Sequence, residues 1–133
     1  MSHIILTRPQ TTSSGIPGTI ISGVVIPFAP GSNIVNVDGI PIGTNASLKW
    51  IYTLMSPSQD KVVTAEVVAT YRISGGAITY NRYSVVGDKN DLKHSVDVKV
   101  DAGDLVLEIT NLTDPLPTPT DFTANIVRIQ MLS

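Results

Sequence analysis

The side chains able to do chemistry in this chain are few and scattered. The only two histidines, His3 and His94, lie far apart. His94 falls between Leu92 and Val96 on the apolar parity of an alternating run. That is the place of a histidine satisfied by internal hydrogen bonds, and no His, Asp or Glu accompanies it at metal-ligand spacing. Asp88, Asn90 and Asp91 sit together, as do Asp101 and Asp104. Oxygen-rich loops can hold calcium, but the EF-hand order of ligands is absent. Asp, Asn and Gly also dominate turns, because they bond their own backbone and tolerate left-handed conformations. The turn reading is therefore preferred. The only glutamates, Glu66 and Glu108, both fall on the polar parity of their runs, as solvated sheet-face residues would. A pair of carboxylates facing each other across a cleft would be needed for glycoside hydrolysis. There is no cysteine nucleophile and no Gly-x-Ser-x-Gly elbow. Gly15, Gly18, Gly23 and Gly31 form no phosphate-binding loop ahead of a helix. Trp50, Tyr52 and Tyr71 share parity with aliphatic neighbours, which assigns them to a core rather than to a sugar-stacking platform, and Tyr80 and Tyr83 complete the tyrosines. Asn45-Ala46-Ser47 and Asn111-Leu112-Thr113 match the glycosylation sequon, with no secretory signal to give it meaning. No catalytic, cofactor-binding or metal-ligating residue is assigned. No cofactor is expected, and the chain is read as a non-enzyme.

The elements that would position these residues are strands. Leu48, Trp50, Tyr52 and Leu54 alternate with Ser47, Lys49 and Thr53. After a turn at Pro57-Ser58-Gln59-Asp60, a run places Val63, Ala65, Val67, Ala69, Tyr71 and Ile73 on one face and Thr64, Glu66, Thr70 and Arg72 on the other. Ser74-Gly75-Gly76 turns this run into Ala77 to Val86, which predicts a long hairpin. Beyond the polar loop at 87–91, Leu92 to Val100 alternate, and Asp101-Ala102-Gly103-Asp104 turns into Leu105 to Ile109. Asn111 to Asp121 is a Pro- and Thr-rich loop, and the final run switches parity between Phe122, Ala124, Ile126 and Val127, Ile129, Met131. A β-bulge near Ile126 would reconcile its two halves. Earlier in the chain, Thr19 to Phe28 and Ile34 to Val37 are β-rich, and Asp38-Gly39 reads as a turn. No segment has helical periodicity. The pattern predicts an all-β fold, an antiparallel β-sandwich or jelly roll of about eight strands.

The chain's 133 residues fit one domain. The division expected is an extended arm over residues 1–18, broken by Pro9 and Pro17, and a sandwich over 19–133. Charged residues make up 15% of the chain, well below the usual ~25%. With a net charge of −2 and nine scattered Lys and Arg there is no basic stripe for nucleic acid. There is also no basic amphipathic helix, no apolar run of membrane-spanning length, and no apolar leader at Met1 to Pro9. The absence of cysteine excludes disulfides and thiolate metal sites. Between Met1 and Leu48 the only charged side chains are Arg8 and Asp38. So neutral a stretch belongs either to the buried part of the sandwich or against another chain.

A longer pattern runs through the second half. It comprises Trp50 in a strand, Val67 to Tyr71, and Tyr80-Asn81-Arg82-Tyr83-Ser84-Val85-Val86-Gly87-Asp88. It continues with Val96-Asp97-Val98, Gly103-Asp104-Leu105-Val106-Leu107-Glu108-Ile109-Thr110-Asn111 and Ile126-Val127-Arg128-Ile129. Over roughly residues 47–132 this resembles the small β-sandwich structural proteins of tailed bacteriophages, which serve as tail, neck, fibre-attachment or capsid-decoration components. The resemblance implies a virion subunit, assembled in the host cytoplasm. Such a subunit would act through contacts with other virion proteins and with copies of itself, as a trimer or ring. The alternative is a carbohydrate- or host-receptor-binding sandwich module that takes a host-surface glycan.

Overall fold

The structure, a computed structural model, describes residues 18–56, 60–113 and 120–132. All regular structure among them is β: β1 (Gly18–Ile26), β2 (Ile34–Pro41), β3 (Ala46–Ser56), β4 (Lys61–Arg72), β5 (Ala77–Gly87), β6 (His94–Asp101), β7 (Asp104–Asn111) and β8 (Phe122–Leu132). They form a five-stranded sheet in the order β1-β8-β3-β4-β5 and a three-stranded sheet in the order β2-β7-β6. Every ladder is antiparallel. The expected all-β sandwich is what the chain forms. Residues 1–17 of the expected arm lie outside the described residues, as do 57–59 of the first expected turn and 114–119 of the Pro/Thr-rich loop.

Alternation dictates the core. In β3 every second residue from Ala46 to Ser56 is buried, and β4 matches it from Val63 to Tyr71. Trp50, Tyr52, Leu54, Val63, Val67, Leu105, Leu107, Ile109 and Phe122 are fully enclosed between the sheets. Each such side chain contributes about 1.5–3 kcal/mol by leaving water. Trp50, Tyr52 and Tyr71 are core residues, as their parity required. Val96 is only partly buried and packs against the cluster. Ile73 does not extend the inner face of β4: it stands past the strand end, 48% exposed.

Two sequence expectations are corrected. Asp38-Gly39 is not a turn, because β2 runs straight through it. The Asp38 carboxylate accepts hydrogen bonds from Trp50 Nε1 (2.8 Å) and Arg128 Nη1 (2.7 Å), which holds the residue in the sheet. Gly39 is required by close approach, since a Cβ there would lie 2.9 Å from Val106 Cγ1. The second correction concerns β8. It pairs with β3 without interruption, from Leu54↔Ala124 to Ala46↔Leu132. The bulge lies instead in β1, between Ile21 and Val24, opposite the stretch of β8 that holds Ile126. The parity switch in β8 is real but needs no bulge. Val127, Ile129 and Met131 face outward, and Arg128 turns inward to meet Asp38.

Candidate functional site

The two sheets differ in width, so β5 overhangs the three-stranded sheet and leaves an open side against β6. β5 begins as the second arm of the expected hairpin, after left-handed Gly75 and Gly76. Its pairing with β4 is regular from Arg72↔Ala77 to Glu66↔Tyr83 and then shifts at Ser84, whose φ is +55°. That bulge has a consequence for side-chain direction. Arg82 and Val85 are three apart and would normally project from opposite faces. With an extra residue between them both turn toward the sandwich interior.

The loop after β5 is fixed by its own carboxylate. Asp88 Oδ2 accepts from the Val62 N–H (2.9 Å), and the Asp88 N–H donates to the Val62 carbonyl (2.8 Å). The Asp88 carbonyl then accepts from Asp91 N–H (3.1 Å) and Leu92 N–H (2.9 Å). Asp101 Oδ2 accepts from Asn36 Nδ2 at 2.8 Å. Asp88 thus fixes its turn and Asp101 ties the end of β6 to β2, and among the described residues no three His, Asp or Glu side chains gather.

His94 opens β6. Its Nδ1 lies 2.8 Å from the Leu92 carbonyl, which can only accept, so Nδ1 carries the proton. Nε2 therefore accepts from the Tyr52 hydroxyl at 2.7 Å. The imidazole stands edge-on to the Tyr52 ring (centroids 5.5 Å) and to Phe122 (6.4 Å). Burial pushes the Tyr52 phenol up, and the adjacent Arg82 guanidinium opposes that shift. Burial also pushes the His94 pKa down; the Leu92 hydrogen bond opposes this, and the Arg82 charge adds to it. His94 is thus a neutral, internally bonded histidine, as its place in the alternation indicated.

Above this chain of contacts is a depression of about 480 Å³, lined by Arg82, Val85, Lys89, Asn90, Lys93, His94 and Leu112. A second depression of similar size, between β3, β4 and β8, has one cation, Arg72, among its described lining residues. The remaining candidates are dispersed. Glu66 is ion-paired to Lys49 on the outer face of the five-stranded sheet, and Glu108 to Lys99 on the outer face of the other sheet. The two glutamates therefore stand on opposite sides of the sandwich. Asn111 of the second sequon is 2% exposed. Its Nδ2 donates to the Ile26 and Thr120 carbonyls and its Oδ1 accepts from Thr113, so it ties the ends of β1 and β7 to the start of β8. The cationic depression was not found by reading the sequence. Its residues are spread from 82 to 112, and the signal available was only three basic residues in a twelve-residue window.

Fold and site define a two-sheet antiparallel sandwich with a cation-lined hollow on one flank. No family model matches the chain, and no curated protein sequence matches it. Among solved structures, the chain is similar to the tailspike protein of Acinetobacter baumannii phage AM24, with 8% identity over 86% of this chain and 26% of that one, at a TM-score of 0.46. It is also similar to the tailspike protein of Acinetobacter phage vB_ApiP_P1, with 12% identity over 100% of this chain and 25% of that one, at a TM-score of 0.45. The chain thus spans about a quarter of the length of each.

Proposed function

We propose that this chain is a non-catalytic structural component of a phage virion, working through protein–protein contacts that include copies of itself. One observation carries the assembly part of this reading. Among the described residues β1 and β2 are the outer strands of their sheets and touch each other, so together they form one flank of the sandwich. From Gly18 to Val37 this flank has no charged residue, and Asp38 is turned inward to Trp50 and Arg128. Free sheet edges are normally protected by charge, proline or bulges. Here the bulge at Ser22-Gly23 interrupts β1 only at its middle, and Val25 and Ile34 remain 56% and 57% exposed. The flank continues onto an apolar row across the outer face of the larger sheet, where Ile20 pairs with Val127 and Val127 with Ile51. Desolvating such a surface is cheap compared with burying ions. The resemblance of residues 47–132 to phage sandwich proteins supplies the setting, a virion assembled in the host cytoplasm.

Light scattering on the intact chain is the direct test. A trimer or ring is expected, and Ile20→Lys with Ile51→Lys should reduce it to monomers whose β-sheet circular dichroism is unchanged. A chain beginning at Thr19 should likewise keep its β signal and lose self-association if the arm joins subunits. A monomer at all concentrations that also fails to bind phage particles would overturn the reading.

A further inference from the structure

We infer that the hollow between β5 and the 88–93 loop binds a saccharide unit bearing an anionic group, a carboxylate or a phosphate. This goes beyond assembly and uses the opposite flank of the sandwich, so either reading can fail without the other.

The first ground is charge. Of the nine Lys and Arg, Arg8 lies outside the described residues. Four of the other eight are ion-paired: Lys49, Lys61, Lys99 and Arg128. Of the four without a carboxylate partner among the described residues, Arg82, Lys89 and Lys93 meet at this one hollow. In a chain of net charge −2 this is a concentration of uncompensated positive charge. The carboxylates of the same loop are engaged elsewhere, Asp88 on the Val62 N–H and Asp91 on Lys61.

The second ground is construction. Arg82 pairs with Val67 on the inner parity of β5, the Ser84 bulge brings Val85 onto the same face, and Arg82 stands beside the Tyr52 hydroxyl, whose proton is held by His94, whose other nitrogen is anchored on the Leu92 carbonyl. Leu92 is fully buried. The floor of the hollow is thus tied to the core, and its guanidinium presents a fork that suits a planar carboxylate or a phosphate. Fixing donors before the ligand arrives removes ordering cost from binding.

The third ground is the lining. Val85 and Leu112 supply apolar wall and Asn90 an amide that can both donate and accept. A volume of about 480 Å³ suits a molecule of one or two rings. An anion on an otherwise amphipathic ring matches that mixture better than a bare ion, which would leave the apolar wall unused.

The test is amide-resolved NMR titration of the intact chain with glucuronate, glucose 6-phosphate, glucose, acetate, inorganic phosphate and an oligo-aspartate peptide. Glucuronate or glucose 6-phosphate should shift residues 82–94, and whichever binds tighter identifies the anion. Raised salt should weaken that binding, as should Arg82→Gln by about tenfold. Because Arg82 touches Tyr52, Lys93→Gln at an exposed position provides a second variant with the fold undisturbed. Equal binding of glucose would overturn the inference, since charge would not be read. Acetate or phosphate binding as tightly as the sugar acids would reduce the site to a bare anion site. Tighter binding of the peptide would reassign it to protein contact. Silence from both anionic sugars at millimolar concentration would also overturn it.

Discussion

Asp38 is the clearest case of one residue holding distant parts of the chain together. Its carboxylate joins Trp50 of β3 and Arg128 of β8, and the side chains of the ion pair are only 8% and 14% exposed. Removing one member of such a pair leaves the other charge buried without its counterion. Asp38→Ala should therefore cost about 3 kcal/mol in urea unfolding, whereas Asp38→Asn, which keeps an acceptor for Trp50, should cost less. A second residue-scale expectation concerns His94, faced by Tyr52, Arg82, the Phe122 ring and the Leu92 carbonyl. Its folded pKa lies below the ordinary 6.5, chiefly through burial. The unfolded chain then binds more protons than the folded one below that value, so stability falls as pH drops through 6.5 toward the folded pKa. Between pH 7.5 and 5.5 the urea midpoint should fall, and His94→Gln should flatten that dependence. An unchanged slope in the variant would remove His94 from this role.

Among the elements, β7 is the central strand of the smaller sheet and carries Leu105, Leu107 and Ile109 fully buried. Leu107→Ala should destabilise the protein by about 2–5 kcal/mol, measured by chemical denaturation; a loss under about 1 kcal/mol would contradict the burial. β5 shows a different constraint. Its last residue must be glycine, because Gly87 has φ +111° and any Cβ would lie 2.4 Å from the Val62 carbonyl oxygen. The same carbonyl accepts the Asp88 N–H, so the end of β5, the 88–91 turn and the start of β4 are one unit. The hollow's cations hang from that unit, which explains how a surface loop can hold Lys89 and Lys93 toward Arg82.

At the scale of the molecule, the last described strand completes the sheet begun by the first. β8 lies between β1 and β3, and among the described residues β1 has no other partner in its sheet. A chain cut before Phe122 should fail to show native β-sheet circular dichroism, since β1 would lose its ladder and the core would lose Phe122, Ala124 and Ile126. The two flanks are also unlike. The β1/β2 flank is neutral, and the β5/β6 flank carries Arg82, Lys93, Asp97 and Lys99 and is tied across the sandwich by the Tyr80–Asp97 hydrogen bond of 3.0 Å. One flank is suited to a partner chain and the other to a charged ligand.

Side-chain alternation was enough to place the strands from Ser47 onward, the β4–β5 hairpin and the burial of Trp50, Tyr52 and Tyr71, because a period of two decides which face each residue presents. It was also enough to assign His94 to a bonded interior position. It failed where a contact from elsewhere overrides local preference. Asp38-Gly39 has the local chemistry of a turn, yet Trp50, Arg128 and the approach of Val106 keep it in a strand. The parity switch in β8 is a local signal, but whether it means a bulge or an inward charge depends on what lies across the core. The hollow was invisible for the same reason. Arg82 shares the inner parity of Ile78 and Tyr80, but it becomes part of a site only when the Ser84 bulge brings Val85 onto the same face and the 88–91 turn places Lys89 and Lys93 beside it, and neither of those is encoded in the spacing of the residues themselves.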